Sequence, residues 1–163
     1  MPEDTRQVAD ADREETPAEQ ADRNFNELLQ ELRVSQMGVQ ILFAFLRTLA
    51  FQGRFTDVTP GQLTVYVVTL LLCAASTALL VAPVPLHRAM FRQGRKREVV
   101  EIAAKFARGG LLMLFLAISG AILFILDFVL DRALAIGLAA GVTMVFLALW
   151  YGVPWAMSRG GRS

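Results

Sequence analysis

Four long apolar runs limit what this chain can become. They lie at about residues 34–52, 63–82, 110–130 and 133–153. Each approaches the ~20 residues that a helix needs to cross ~30 Å of hydrocarbon. A backbone inside hydrocarbon must satisfy its own hydrogen bonds, so each run is predicted to be an α-helix. Hydrophobic residues make up 55% of the chain, against about 45–50% in ordinary soluble domains. The excess is gathered into blocks, which argues against one large soluble core. The predicted fold is all-α: a four-transmembrane-helix bundle of two in-out-in hairpins, with short amphipathic cytoplasmic helices.

The charges between the runs orient this bundle. Residues 84–109, between the second and third runs, carry Arg88, Arg92, Arg95, Lys96, Arg97, Lys105 and Arg108. The connections at 53–62 and 131–132 carry only Arg54 and Arg132. Lysine and arginine concentrate on the cytoplasmic side of membrane proteins, so 84–109 is expected inside. Four spans then put both termini inside with it, giving that side thirteen basic residues against two. Trp150, Tyr151 and Trp155 fall at the inner end of the last run, where an interfacial aromatic belt belongs.

Outside the spans, residues 1–22 are acidic and poor in large aliphatic side chains, the composition of a disordered cytoplasmic tail. A short tail is also expected at 159–163, leaving 23–158 as the membrane domain. The start is the reverse of a basic, then apolar, signal peptide, so none is expected. Order is expected from Asn24, which has Glu27 at capping-box spacing. Phe25, Leu28, Leu29 and Leu32 then form an apolar helical face leading into the first span. A matching face, Val99, Ile102, Ala103 and Phe106, leads into the third. Pro83 and Pro85 are expected to stop the second span.

Catalytic constellations do not emerge. Cys73 is the sole cysteine and His87 the sole histidine, so neither an internal disulfide nor a histidine metal cluster is expected. No cofactor is predicted. The basic segment flanks membrane helices and lacks interleaved aromatics beyond Phe91 and Phe106, so a nucleic-acid partner is not expected.

Three groups of residues invite a functional reading. On a straight helix Gln36, Gln40 and Arg47 fall within roughly 40° of one another, a polar stripe expected to face the bundle or an oligomer interface. Asp127, late in the third span, lies at similar depth to Arg47, so an ion pair between them is a candidate. Such a pair serves either as a structural latch or as part of a proton- or cation-coupled site. Alternatively, Arg47 snorkels to the outer interface and the glutamines act as interhelical glue. Ala133, Gly137 and Gly141 recur every four residues, a small-residue face for close helix packing. Its candidate partners are the third span (Ala117, Gly120, Ala121), the second (Ala74, Ala78, Ala82), or the same helix in another protomer. Finally, Arg88, Arg92, Arg95, Lys96 and Arg97 are candidates for anionic lipid headgroups as well as topology anchors.

The strings Arg23-Asn-Phe-Asn-Glu-Leu-Leu-Gln-Glu-Leu-Arg33 and Gln36-Met-Gly-Val-Gln-Ile-Leu-Phe-Ala-Phe-Leu46 have a family resemblance, as does Ala82-Pro-Val-Pro-Leu-His-Arg88 followed by Phe91-Arg92. Over about residues 22–150 the chain resembles an uncharacterised family of small actinobacterial integral membrane proteins, a DUF6328-like domain of unknown function. The resemblance implies a multi-pass protein of the bacterial inner (plasma) membrane and carries over no functional residues. The expected role is non-enzymatic: an oligomeric or accessory component of a membrane complex. The alternative is a small proton- or cation-coupled transporter using the stripe on span one and Asp127.

Overall fold

The structure, a computed structural model, describes residues 17–90 and 96–152. Its elements are α1 (Pro17–Leu49), a 3-10 turn (Gly53–Asp57), α2 (Pro60–Val81), α3 (Pro83–Met90), α4 (Lys96–Val129), α5 (Arg132–Leu147) and a π turn (Ala148–Gly152). The described residues contain no strand.

The core is a three-helix seam with sevenfold repeats. On α1 the buried residues are Phe25, Leu32, Val39 and Leu46, one per heptad. On α2 they are Tyr66, Thr69, Cys73, Ser76 and Leu80, at alternating steps of three and four. On α4 the series Ala103, Ala107, Gly110, Leu114, Ala117, Ala121 and Phe124 follows the same rhythm. A seven-residue repeat on helices of 3.6 residues per turn is the pattern of left-handed supercoiling. Two side-chain contacts fix the directions. Gln36 donates to the Leu80 carbonyl (2.9 Å) and Tyr66 to the Leu46 carbonyl (3.2 Å), so α1 and α2 are antiparallel. Gln62 donates to the Asp127 carbonyl (2.7 Å) and Ser76 to that of Gly110 (2.8 Å), so α4 runs opposite to α2 and parallel to α1.

The α2–α4 contact is close because its residues are small. A β-carbon at Gly110 would sit 2.7 Å from Leu80 Cγ and 3.2 Å from its backbone nitrogen. One at Gly120 would run into the Thr69 side chain. Thr69 and Ser76 meet their hydroxyl needs on backbone carbonyls, which lets polar atoms sit in this seam without loss.

The amphipathic segments lead into the first and third spans as expected, but they are not short helices of their own. Each is the first half of a long continuous helix, α1 with 33 residues and α4 with 34. At ~1.5 Å per residue each is about 50 Å long, well beyond ~30 Å of hydrocarbon. Their first halves zip together, Phe25 and Ala103 packing with Leu28, Leu29 and Val100. Asn24 is therefore inside α1 and not its cap. Helix is already present at Pro17, a residue suited to the first turn because it has no N–H to leave unpaired. Of the tail expected over 1–22, residues 17–22 are instead helical, as part of α1, while 1–16 and the segments 91–95 and 153–163 lie outside the described residues.

The prolines at 83 and 85 interrupt the chain less than expected. Helix resumes immediately as α3, and the break is confined to Ala82. At the other end, Asp131 caps α5 by accepting from the N–H groups of Ala133 and Leu134, giving the tight α4–α5 hairpin. A capping box at Thr59 and Gln62, with Pro60 in the first turn, starts α2.

Three helical stretches are long and apolar enough to cross a membrane: Pro60–Leu86, Val100–Val129 and Arg132–Trp150. The first expected span is absent from this set. Its segment of α1 holds Gln36, Gln40 and Arg47, which lower its hydropathy.

Candidate functional site

The polar stripe of α1 does not act as a unit. Gln36 flanks the buried seam and is satisfied by the Leu80 carbonyl, bridging α1 to α2. Gln40 and Arg47 are exposed and turned away from the bundle. The cause is the phase of the seam. Val39 and Leu46 fill the interior, and Gln40 and Arg47, each the next residue along, stand about 100° round the helix from them.

Arg47 and Asp127 do not meet. The described residues show no ion pair between them; Arg23 and Glu27, one turn apart on α1, form the surface pair at 3.9 Å. Asp127 is half-buried, and its backbone carbonyl, not its carboxylate, takes the hydrogen bond from Gln62. Similar depth along two parallel helices was a necessary condition for pairing; the rotation of α1 removed the sufficient one.

The small-residue face of α5 also lies apart from the bundle. Ala135 and Ala139 are the buried residues of that helix. Ala133, Gly137 and Gly141 are exposed, and β-carbons built at Gly137 and Gly141 would meet nothing within 4 Å. Of the partners suggested by sequence, the third span uses Ala117, Gly120 and Ala121 against α2 instead. In the second span, Ala74 and Ala78 point outward. The 3-4 spacing of Thr69, Cys73, Ser76 and Leu80 was the sequence signal for the α2–α4 seam, masked by the polarity of two of its members.

Of the basic cluster, Arg88 lies in α3 and Lys96 and Arg97 open α4, while Arg92 and Arg95 lie outside the described residues. The described part of the chain instead shows two clefts, each containing an arginine. At one end, Leu49, Gln52, Arg54, Phe55, Phe124 and Phe128 help line a cleft of about 410 Å³. Arg54 lies over the Phe128 ring there, 5.4 Å from its centre. Phe55 stacks edge-on against Tyr66, 5.0 Å between centroids, fixing the 3-10 turn to the bundle. At the other end, Ser35, Arg108, Gly109, Leu111, Leu112 and Trp150 line a cleft of about 620 Å³.

The second cleft stands where the exterior of the bundle changes character. Below it on α1, Arg23, Asn26, Glu27, Gln30, Glu31 and Arg33 are exposed. Above it Val34, Met37, Ile41 and Phe45 are exposed, with Gln40 and Arg47 as polar exceptions. On α4 the same change falls between exposed Glu101, Lys105 and Arg108 and exposed Leu112, Leu116 and Ile125. The two transitions are level, because Gln36 and Gly110 both lie against Leu80. No group of three or more His, Cys, Asp or Glu side chains that could hold a metal ion occurs among the described residues.

A family model described as a family of unknown function, DUF6328, matches residues 14–154, and the chain belongs to that family. No curated protein and no solved structure matches the chain.

Proposed function

We propose that this DUF6328 family member is a non-enzymatic component of the bacterial inner membrane, crossing it four times with both termini cytoplasmic and working as a homo-oligomer. Membership of a family of unknown function supplies no activity, so the reading rests on the helices themselves. The observation that carries it is the open glycine face of α5. Gly137 and Gly141 lie on the most weakly covered of the apolar stretches, only 11% of which is buried inside the protomer, against 28% for the other two. Lipid gives no hydrophobic drive for helices to associate, so close backbone approach at small residues is a main source of membrane helix affinity. A second copy of α5 supplies a partner of matching shape.

Four crossings, despite the low hydropathy of α1, are supported by its position. It runs beside α2, tied to it at two levels by Gln36 to the Leu80 carbonyl and by Tyr66 to the Leu46 carbonyl. Its exterior turns mostly apolar at the level where that of α4 turns apolar. Reporter fusions at the two termini test this directly: four crossings place both reporters in the cytoplasm, whereas three place them on opposite sides. The transporter alternative needs Gln40, Arg47 and Asp127 to converge, and their separation weakens it.

For the oligomer, single-molecule photobleaching of labelled protein in liposomes is the decisive measurement. Wild type is expected to bleach in multiple steps. Gly137→Leu with Gly141→Leu should bleach in one step while keeping the wild-type helical spectrum and melting profile. A wild-type protein that is monomeric at all protein-to-lipid ratios would falsify the oligomer reading.

A further inference from the structure

The geometry points to a binding site for one anionic phospholipid in the cleft between α1, α4 and the end of α5, with Arg108 holding the headgroup phosphate and Trp150 beside it. This rests on the membrane reading above and goes beyond it by naming a ligand and the residues that take it.

The cleft is amphipathic in the sense a phospholipid requires. Arg108 and Ser35 supply a cation and a hydroxyl, and Leu111, Leu112 and Trp150 supply apolar walls. Its position is where a headgroup belongs, since the exposed residues of α4 change from charged to apolar at this level and those of α1 from charged to mostly apolar. Arg108 is exposed and donates through Nε to the Ala104 carbonyl, one turn back on its own helix (3.3 Å). That bond uses one of the five guanidinium donors and fixes the group in place. The other four remain for a phosphate, which a planar guanidinium can bind in bidentate fashion. Ser35 spends its one proton on its own helix, on the Glu31 carbonyl at 3.4 Å, so the phosphate is left to Arg108. Trp150 is steadied from two sides, by Phe115 at 6.3 Å and Phe146 at 6.0 Å between ring centres. An indole held at the boundary has its apolar body against acyl chains and its N–H toward the headgroup layer. Gly109 lines the cleft next to the charge.

The opposite cleft provides the internal comparison. Arg54 also stands beside phenylalanines, but its guanidinium is already stacked on the Phe128 ring. It should therefore contribute nothing to this site.

The experiment uses the full chain in a Trp155→Phe background, which leaves Trp150 as the single tryptophan. The protein is placed in phosphatidylcholine nanodiscs containing a minority of phosphatidylglycerol, with bromine on the acyl chains of one lipid or the other. Brominated phosphatidylglycerol should quench Trp150 more than its mole fraction predicts, with local enrichment of up to about fivefold, the scale of one basic residue near an anionic surface. Arg108→Gln should reduce quenching to the mole-fraction value, Arg108→Lys should keep part of the excess, and Arg54→Gln should keep all of it. Circular dichroism of each variant controls for folding. Equal quenching by both lipids in the wild type would overturn the site while leaving the membrane reading intact. Absence of quenching by either lipid would overturn both. Loss of the enrichment on adding inorganic phosphate, but not chloride at equal ionic strength, would show that the cleft takes free phosphate and would sink the lipid assignment.

Discussion

Helices α1 and α5 reverse the usual relation between hydropathy and burial. The second half of α1 is the most polar of the expected spans, yet Val39 and Leu46 are wholly buried and Gln36 bonds across to α2. The α5 stretch is apolar enough to cross a membrane unaided, yet Ala135 and Ala139 are its buried residues and Leu134, Ile136, Met144 and Val145 are half exposed or more. In a lipid environment apolar surface need not be hidden, so hydropathy reports which helix can enter the bilayer. Burial reports a different property, the periodic match of side chains across helices. One is a sum over residues and the other depends on their phase.

Steric substitutions test this contrast most strongly. Gly110→Leu places atoms where Leu80 and its backbone already lie, and should cost about 1–3 kcal/mol or prevent bundle formation. Gly141→Leu, facing open space, should leave protomer stability within about 0.5 kcal/mol. Reversible denaturation in mixed micelles measures both. If the two cost the same, the division between a packed seam and an open rim is wrong.

The next effect concerns insertion. Arg47→Leu removes an exposed cation from the C-terminal part of α1. It should favour insertion of that segment by about 1–3 kcal/mol in a translocon assay. Because Arg47 makes no ion pair with Asp127, Asp127→Asn should not alter that gain; a strong dependence would restore the pair.

The smallest effects come from the bonds that join α1 to α2. Tyr66→Phe leaves ring packing on Phe55 and Phe124 intact and removes the hydroxyl from the Leu46 carbonyl. Its expected cost is about 1 kcal/mol. Gln36→Leu should cost about 0.6 kcal/mol in folding, the average for interhelical bonds in membranes, while aiding insertion. Thermal melts resolve the first, and paired melting and insertion assays separate the two opposing effects of the second.

Much of the architecture was legible in residue order. The lengths of the apolar runs gave the helices, and Asp131-Arg132 gave the tight hairpin between the last two. The amphipathic faces around Phe25 and Ala103 were visible as helical spacing, but not that they pack on each other, because the mutual register of two segments about seventy residues apart is not a local property. The proposed lipid cleft was missed altogether. Ser35, Arg108 and Trp150 are far apart in the chain and individually unremarkable, and no local spacing links them.

The amino-acid sequence by itself determined the helical class, the apolar lengths and the side on which positive charge gathers. Each follows from local composition and the solvation of the backbone in hydrocarbon. Only the tertiary structure decided which face of each helix became interior. That choice came from shape: Gly110 and Gly120 let α2 and α4 approach closely, and the sevenfold seam on α1 turned Gln36 inward while carrying Gln40 and Arg47 outward. Spacing along one helix does not foresee that choice, because α1 carries both a polar face and a sevenfold apolar face and only its partner helices select between them.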